Sequence, residues 1–374
     1  MGTGFGACLH AVMRRILGPV TLPNAMSIGE VPAILPSVME GLRAYRLRWK
    51  RRQLVLRAFR KRSQMQALRD RTKDIRPGTI LAFATVRNEA VRLPHFLDHH
   101  RRLGVDHFLF VDNDSDDGSQ TLLAAQPDVS VWVAKAGYKQ SRFGLDWITW
   151  LQRKHGHGHW CLTLDADEIL VYPYHETRNL RALTERLTLD GQRAFGAMML
   201  DMYPKGSLTA QQYAPGQDPV EVLAWFDGGN YAVQVQPRMW NLWIQGGPRA
   251  RSFFADQPRL APTLNKVPLV FWHRSYAYVN STHAMLPRRL NLIYDGDGGE
   301  QLSGILLHTK FLPVVVEKSV EEQARQQHFA NSDLYDDYYR SLTRSPDLWC
   351  PASLRYTGWR QLEAMGLMSR GGWI

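Results

Sequence analysis

Three short polar clusters hold the residue types best suited to chemistry: Arg87-Asn88-Glu89, the acidic run Asp112-Asn113-Asp114-Ser115-Asp116-Asp117-Gly118, and Asp165-Ala166-Asp167-Glu168. Asp-x-Asp after an extended segment sets two carboxylates on one side of the backbone. Held that close without a counter-ion, one of them has its pKa driven up. A divalent ion removes the repulsion. Mg²⁺ and Mn²⁺ suit hard oxygen ligands and are commonly shared with substrate phosphates. A solitary Asp-x-Asp is most often a solvated turn. Here it is one of three acidic clusters, each preceded by an apolar run, and that repetition favours a shared site.

The elements that must position these clusters alternate regularly. Residues 79–86 form a near-continuous apolar run, as in a strand buried on both faces. A helix is predicted over 92–103, closed by Gly104 in the left-handed C-terminal position. Strands follow at 105–111, 129–134 and 160–164, separated by helices at about 120–125 and 142–155. Such alternation means βαβ units and a mostly parallel sheet. Ligands of open α/β sheets bind beyond the carboxyl ends of the strands, which is where all three clusters fall.

At these residues the chain resembles the bacterial family 2-like glycosyltransferases of the GT-A fold, whose pattern runs near RNE … D(N)xSxDG … LDxDEFL. The likeness is specific over about 79–175 and looser to about 330. It implies a Rossmann-like central sheet with helices on both faces, a nucleotide-diphospho-sugar donor, and Mn²⁺ or Mg²⁺. Arg87, Asn88 and Glu89 would lie where the first loop meets the nucleoside, and Asp112 and Asp114 on base or ribose. Asp165 and Asp167 would hold the ion that bridges the two phosphates, a Lewis acid for the departing diphosphate. The inserted Asn113-Asp114 pair departs from the usual family turn, so which acidic side chain reads the base stays open.

The second half offers further candidates. Residues 194–202 read as a buried strand, and 203–262 as long loops suited to acceptor binding. Arg249 and Arg251 beside Gly246-Gly247-Pro248 are guanidinium forks suited to phosphate. Lys266 opens another apolar strand and can face the diphosphate. The resemblance implies a late histidine completing the metal shell. His308 is the better placed of two candidates, with Lys310 expected on the same strand face. An inverting transfer needs a base; Asp227, Asp256 and His283 all qualify, and the residues do not choose among them.

The 374 residues carry 46 Lys+Arg against 35 Asp+Glu, a formal charge of +11. That excess lies in 43–76, where fourteen basic residues meet only Asp70 and Asp74. A predicted helix over about 38–70 mixes Trp and Leu with arginine, a pattern that fits either a solvated arm whose apolar stripe docks on the main domain or an anionic membrane surface. No nucleic acid-binding motif accompanies it, so no nucleic acid is expected. Cys8, Cys161 and Cys350 are too few and too far apart for a disulfide framework, which fits a reducing compartment. A cytoplasmic protein, peripheral on the inner membrane face, is therefore expected. Domains are expected at 1–75 (basic arm), 76–330 (divided at 200/201 into donor and acceptor halves) and 331–374 (a helical, aromatic tail). The reading is a metal-dependent glycosyltransferase using a glycan or lipid-linked acceptor in cell-surface polysaccharide synthesis. One alternative is a haloacid-dehalogenase-like phosphatase using Asp165 and Asp167, with Asp295/Asp297 imitating its metal motif. The other is a non-catalytic, membrane-peripheral glycan-binding module.

Overall fold

The computed structural model describes residues 38–296, 299–325 and 336–374. Cys8 and Asp297 lie outside them. Helix α1 (Val38–Lys61) and strand β1 (Met65–Arg69) precede the alternating core of β2 (Leu81–Val86), α2 (Leu93–Leu103), β3 (His107–Asp112), α3 (Ser119–Ala125), β4 (Val129–Ala134), α4 (Leu145–His155) and β5 (Trp160–Thr163). Then come β6 (Glu168–Val171), α5 (Leu180–Leu189), β7 (Ala194–Asp201), α6 (Gly247–Phe253), β8 (Asn265–Phe271), β9 (Ser303–His308) and α7 (Val314–Arg325).

The nine strands form one sheet in the order β1-β4-β3-β2-β5-β8-β7-β9-β6. Strands β2, β3, β4, β5, β7 and β9 run one way, and β1, β6 and β8 run against them. The expected α/β class with a mostly parallel sheet is thus present. Side chains alternate between its two faces. Ala82, Ala84, Val86, Phe108 and Phe110 meet Leu93, Phe96 and Leu97 of α2 and Leu180, Leu183 and Leu187 of α5. Leu81, Phe83, Leu109 and Val111 meet Leu145, Trp147, Ile148 and Leu151 of α4. Helices therefore cover both faces, and each such buried Leu or Phe contributes roughly 1.5–3 kcal/mol. Gly104 ends α2 at φ 100°, as its position after the helix requires.

The basic segment is less separate than expected. The helix stops at Lys61, and residues 65–69 pair antiparallel with the open edge of β4. The main sheet thus draws strands from 1–75, from 76–200 and from 201–330. From the expected tail, Ser353–Arg355 pairs with Trp225–Asp227.

Candidate functional site

The Asp165–Asp167 pair forms the turn between β5, which ends at Thr163, and β6, which begins at Glu168. Strand β9 lies between β6 and β7 in a register that sets His308 opposite Glu168 on one side and Asp201 on the other. His308 Nδ1 is 2.5 Å from Asp201 Oδ1, and its Nε2 is 3.3 Å from Asp167 Oδ2. Arg249 of α6 donates from Nε to the other oxygen of Asp201 at 2.7 Å. Burial alone would raise Asp167, but His308, Arg92 and Lys310 hold its carboxyl well below the usual range. Burial would lower His308, yet Asp167 and Asp201 outweigh it and raise the imidazole. Both ring nitrogens face carboxylate oxygens, an arrangement that favours the protonated form.

Asp165 meets a different cation. Buried Lys266 of β8 places Nζ 3.1 Å from Asp165 Oδ2 and 2.9 Å from Glu168 Oε1, while the Asp165 amide donates to Glu168 Oε2 at 3.0 Å. Burial opposes the ammonium, but Asp165 and then Glu168 outweigh it, so Lys266 stays charged. The two carboxylates of the Asp-x-Asp are thereby divided between Lys266 and His308. Asp165 remains 54% exposed and Asp167 23%.

More cations surround Asp167 than the motif suggests. Arg92, buried at the start of α2, pairs with Glu89 at 2.8 Å, and Glu89 also pairs with Lys318 of α7. Arg92 reaches the carbonyls of Thr309 and Lys310 at 3.5 and 3.4 Å, and the Thr309 amide donates to the Asp167 carbonyl at 2.7 Å. Arg92 Nε and Arg249 Nη2 are buried donors without a hydrogen-bond partner. Burial and then Arg249 lower the Lys310 ammonium to about 8. Contrary to expectation, Lys310 does not share a strand face with His308, because β9 ends at His308 and Lys310 follows in the turn. Arg92, Arg249, Lys310, Lys318 and His308 together exceed Glu89, Asp167 and Asp201. The surplus is positive, which suits an anionic ligand.

The first two clusters meet at the ends of β2 and β3. Arg87 donates to the Asn113 and Asp114 carbonyls at 2.7 and 2.5 Å, and its Nε pairs with Glu321 at 2.9 Å. Asn88, at φ 51°, donates its amide to Ser115 Oγ and accepts the Asp116 amide at 3.0 Å. Asp112 is fully buried. Its oxygens accept from Ser115 and Gln120, so it braces the turn, while Asp114 is exposed at φ 59°.

Other expected residues stand apart. Arg251 forks onto Asp227 at 3.0 and 3.1 Å, and Asp227 also accepts from Tyr203. His283 bonds the Asn265 carbonyl at 2.6 Å, and burial lowers its ring to about 3. Asp256 is exposed just past α6. Among the described residues no group of three His, Cys, Asp or Glu is arranged to hold a metal ion. The sequence reading passed over Asp201, Arg92 and Lys318, and gave Glu168 no role. Asp201 did carry a signal: like Asp112 and Asp165, it is a carboxylate at the end of an apolar run.

No family model and no curated protein matches the chain. Among solved structures it is similar to a 4-diphosphocytidyl-2C-methyl-D-erythritol synthase, at 18% identity over 38% of this chain and 68% of that one, with a TM-score of 0.23. It is also similar to the mannosyltransferase PcManGT from Pyrobaculum calidifontis, solved with GDP-Man and Mn²⁺, at 18% identity over 44% and 47%, TM-score 0.24. A UTP-bound UGPase from Acinetobacter baumannii shares 10% identity over 71% and 99%, TM-score 0.31.

Proposed function

We propose that the chain is a metal-assisted glycosyltransferase of the GT-A type that moves a sugar from a nucleotide-diphospho-sugar to a glycan or lipid-linked hydroxyl. One observation carries this reading: Asp167 and His308 stand together amid surplus fixed cations at the carboxyl ends of β2, β5, β7 and β9.

Two donors are spaced for a divalent ion, and the rest of its shell would fall to water and donor phosphate oxygens. Asp167 Oδ2 and His308 Nε2 are spaced as two ligands of one coordination sphere, and Asp201 holds the other ring nitrogen, the usual carboxylate support of a metal-binding imidazole. Asp167 and His308 would hold Mn²⁺ or Mg²⁺, Asp165 would join them only by leaving Lys266, and any proton on His308 Nε2 would be released. Bound there, the ion supplies Lewis-acid charge to a leaving diphosphate. Arg92, Lys310 and the unpartnered Nη2 of Arg249 neutralise phosphate oxygens around it. Lys266 keeps Asp165 and Glu168 from repelling the donor. Asn88 and Asp114 line the nucleoside side, where Arg87 ties the two loops together. Burial lowers His283 to about 3, which leaves Asp227 and Asp256 as the candidate acceptor-side bases.

Calorimetric titration with UDP, GDP, dTDP and CMP, each with and without Mn²⁺, tests the proposal. One nucleotide should bind only with metal, and Asp167→Asn should remove that binding while leaving the melting temperature in place. Failure of every nucleotide with metal present, together with phosphate release from a phosphomonoester, would replace the reading with a phosphatase.

A further inference from the structure

Helix α1 has two apolar stripes on opposite sides. Leu47, Leu54 and Ala58 are buried; Leu47 and Leu54 dock on Ala277, Val279, Ala284 and Leu286. Arg57 fixes the helix further by pairing with buried Asp146 of α4 at 2.6 Å. At 100° per residue, Leu42, Tyr45, Trp49 and Leu56 fall on the far side. They are 47–65% exposed. Exposed Arg46, Arg48, Arg52 and Arg60 flank or interrupt that outer stripe. Residues 41–64 hold ten Lys or Arg and no acidic residue.

We infer that the outer face of α1 is a docking surface for an anionic lipid bilayer, its Leu, Tyr and Trp side chains entering the headgroup boundary while its arginines meet lipid phosphates. An interfacial helix needs an apolar face bordered by cations with aromatic residues at the boundary, and the outer stripe has all three. A second copy of the chain is a poor occupant, since two such faces bring eight exposed arginines together with no acidic residue between them. Nucleic acid is also poorer, because the centre of the face is apolar and its cations lie at the margin. Among the described residues no helix is long and apolar enough to cross a membrane, so the contact is peripheral. It is narrower than the sequence implied, because residues 65–69 belong to the sheet.

Co-sedimentation of the full chain with vesicles tests this, using phosphatidylcholine alone and phosphatidylcholine with phosphatidylglycerol, at low and high salt. Binding is expected to the anionic vesicles only and to weaken with salt. The double variant Trp49→Ala/Leu56→Ala should lower partitioning about tenfold or more, with circular dichroism and melting unchanged. Trp49→Phe should retain most of the binding. Equal binding to neutral vesicles, no binding, or an unaffected double variant would each overturn the inference. So would a dimer that Trp49→Glu dissociates, RNA binding that displaces the vesicles, or loss on deleting 1–37 alone. None of these outcomes depends on whether the donor site binds a nucleotide.

Discussion

His308 is held at both ring nitrogens, and the two partners differ in what they can be replaced by. In the proposed site an ion would come between His308 Nε2 and Asp167, whereas Asp201 would stay on Nδ1, its other oxygen clamped by Arg249. Asp201→Asn should therefore leave the fold standing but weaken metal-dependent nucleotide binding about 10–100-fold, as loss of such support commonly does; titration with Mn²⁺ and the preferred nucleotide reads it. Lys266→Met should act on stability. It leaves Glu168 buried beside two aspartates without its cation, a loss of about 3 kcal/mol by chemical denaturation. The loss should shrink toward acid pH as Glu168 takes up a proton. Pairing Glu168→Met with Lys266→Met should restore most of the stability. The place of Asp165 and Asp167 at a strand end was legible because an apolar run precedes them, as it does two other polar clusters. Their different partners were not, since Lys266 and His308 arrive from strands about 100 and 140 residues later. Spacing along the chain says nothing of sheet order.

At the scale of elements, three βα units and the strand after them were readable from their apolar runs, and strands β2, β3, β4 and β5 fall within two residues of the expected ranges. Strand β1 was hidden inside a helical pattern, because an open sheet edge can recruit a segment whose own preference is weak. The position of β9 depends on Gly304, where an added Cβ would lie 2.7 Å from the Val171 carbonyl of β6 and 2.9 Å from Phe195. Gly304→Ala should cost about 1–3 kcal/mol and also weaken metal-dependent binding, since it moves β9 against the strand that follows Asp167. Strand β6 is held from α2 as well. His99 donates to the Leu170 carbonyl at 2.9 Å, and His100 accepts the Leu170 amide at 3.5 Å while donating to Phe96. Burial lowers His99 to about 4 and His100 well below its ordinary value. Both are neutral in the fold, whereas the unfolded chain protonates near pH 6.5. Their stabilisation is full above that pH and lost as pH falls toward 4. The melting temperature should decline across this window, and His99→Gln should flatten the decline.

The whole molecule separates its charge. Fourteen of 46 basic residues lie between 43 and 76, and the remainder is nearly balanced. Helix α1, which carries most of them, is fastened by one apolar stripe and by the Arg57–Asp146 pair. Arg57→Ala should loosen it, so that trypsin cuts within 38–61 faster while the melting of the remainder changes little. The sheet order has a consequence for how the protein is made. Strand β6 pairs in the main sheet with β9, yet more than 130 residues of chain separate them. During synthesis the strand bearing Glu168 waits beside α2, without its ladder partner, until residues 303–308 leave the ribosome. Insertion of that late strand between β6 and β7 completes the sheet and brings His308 to Asp167 in one event, so in a nascent chain this pair forms only when the fold closes.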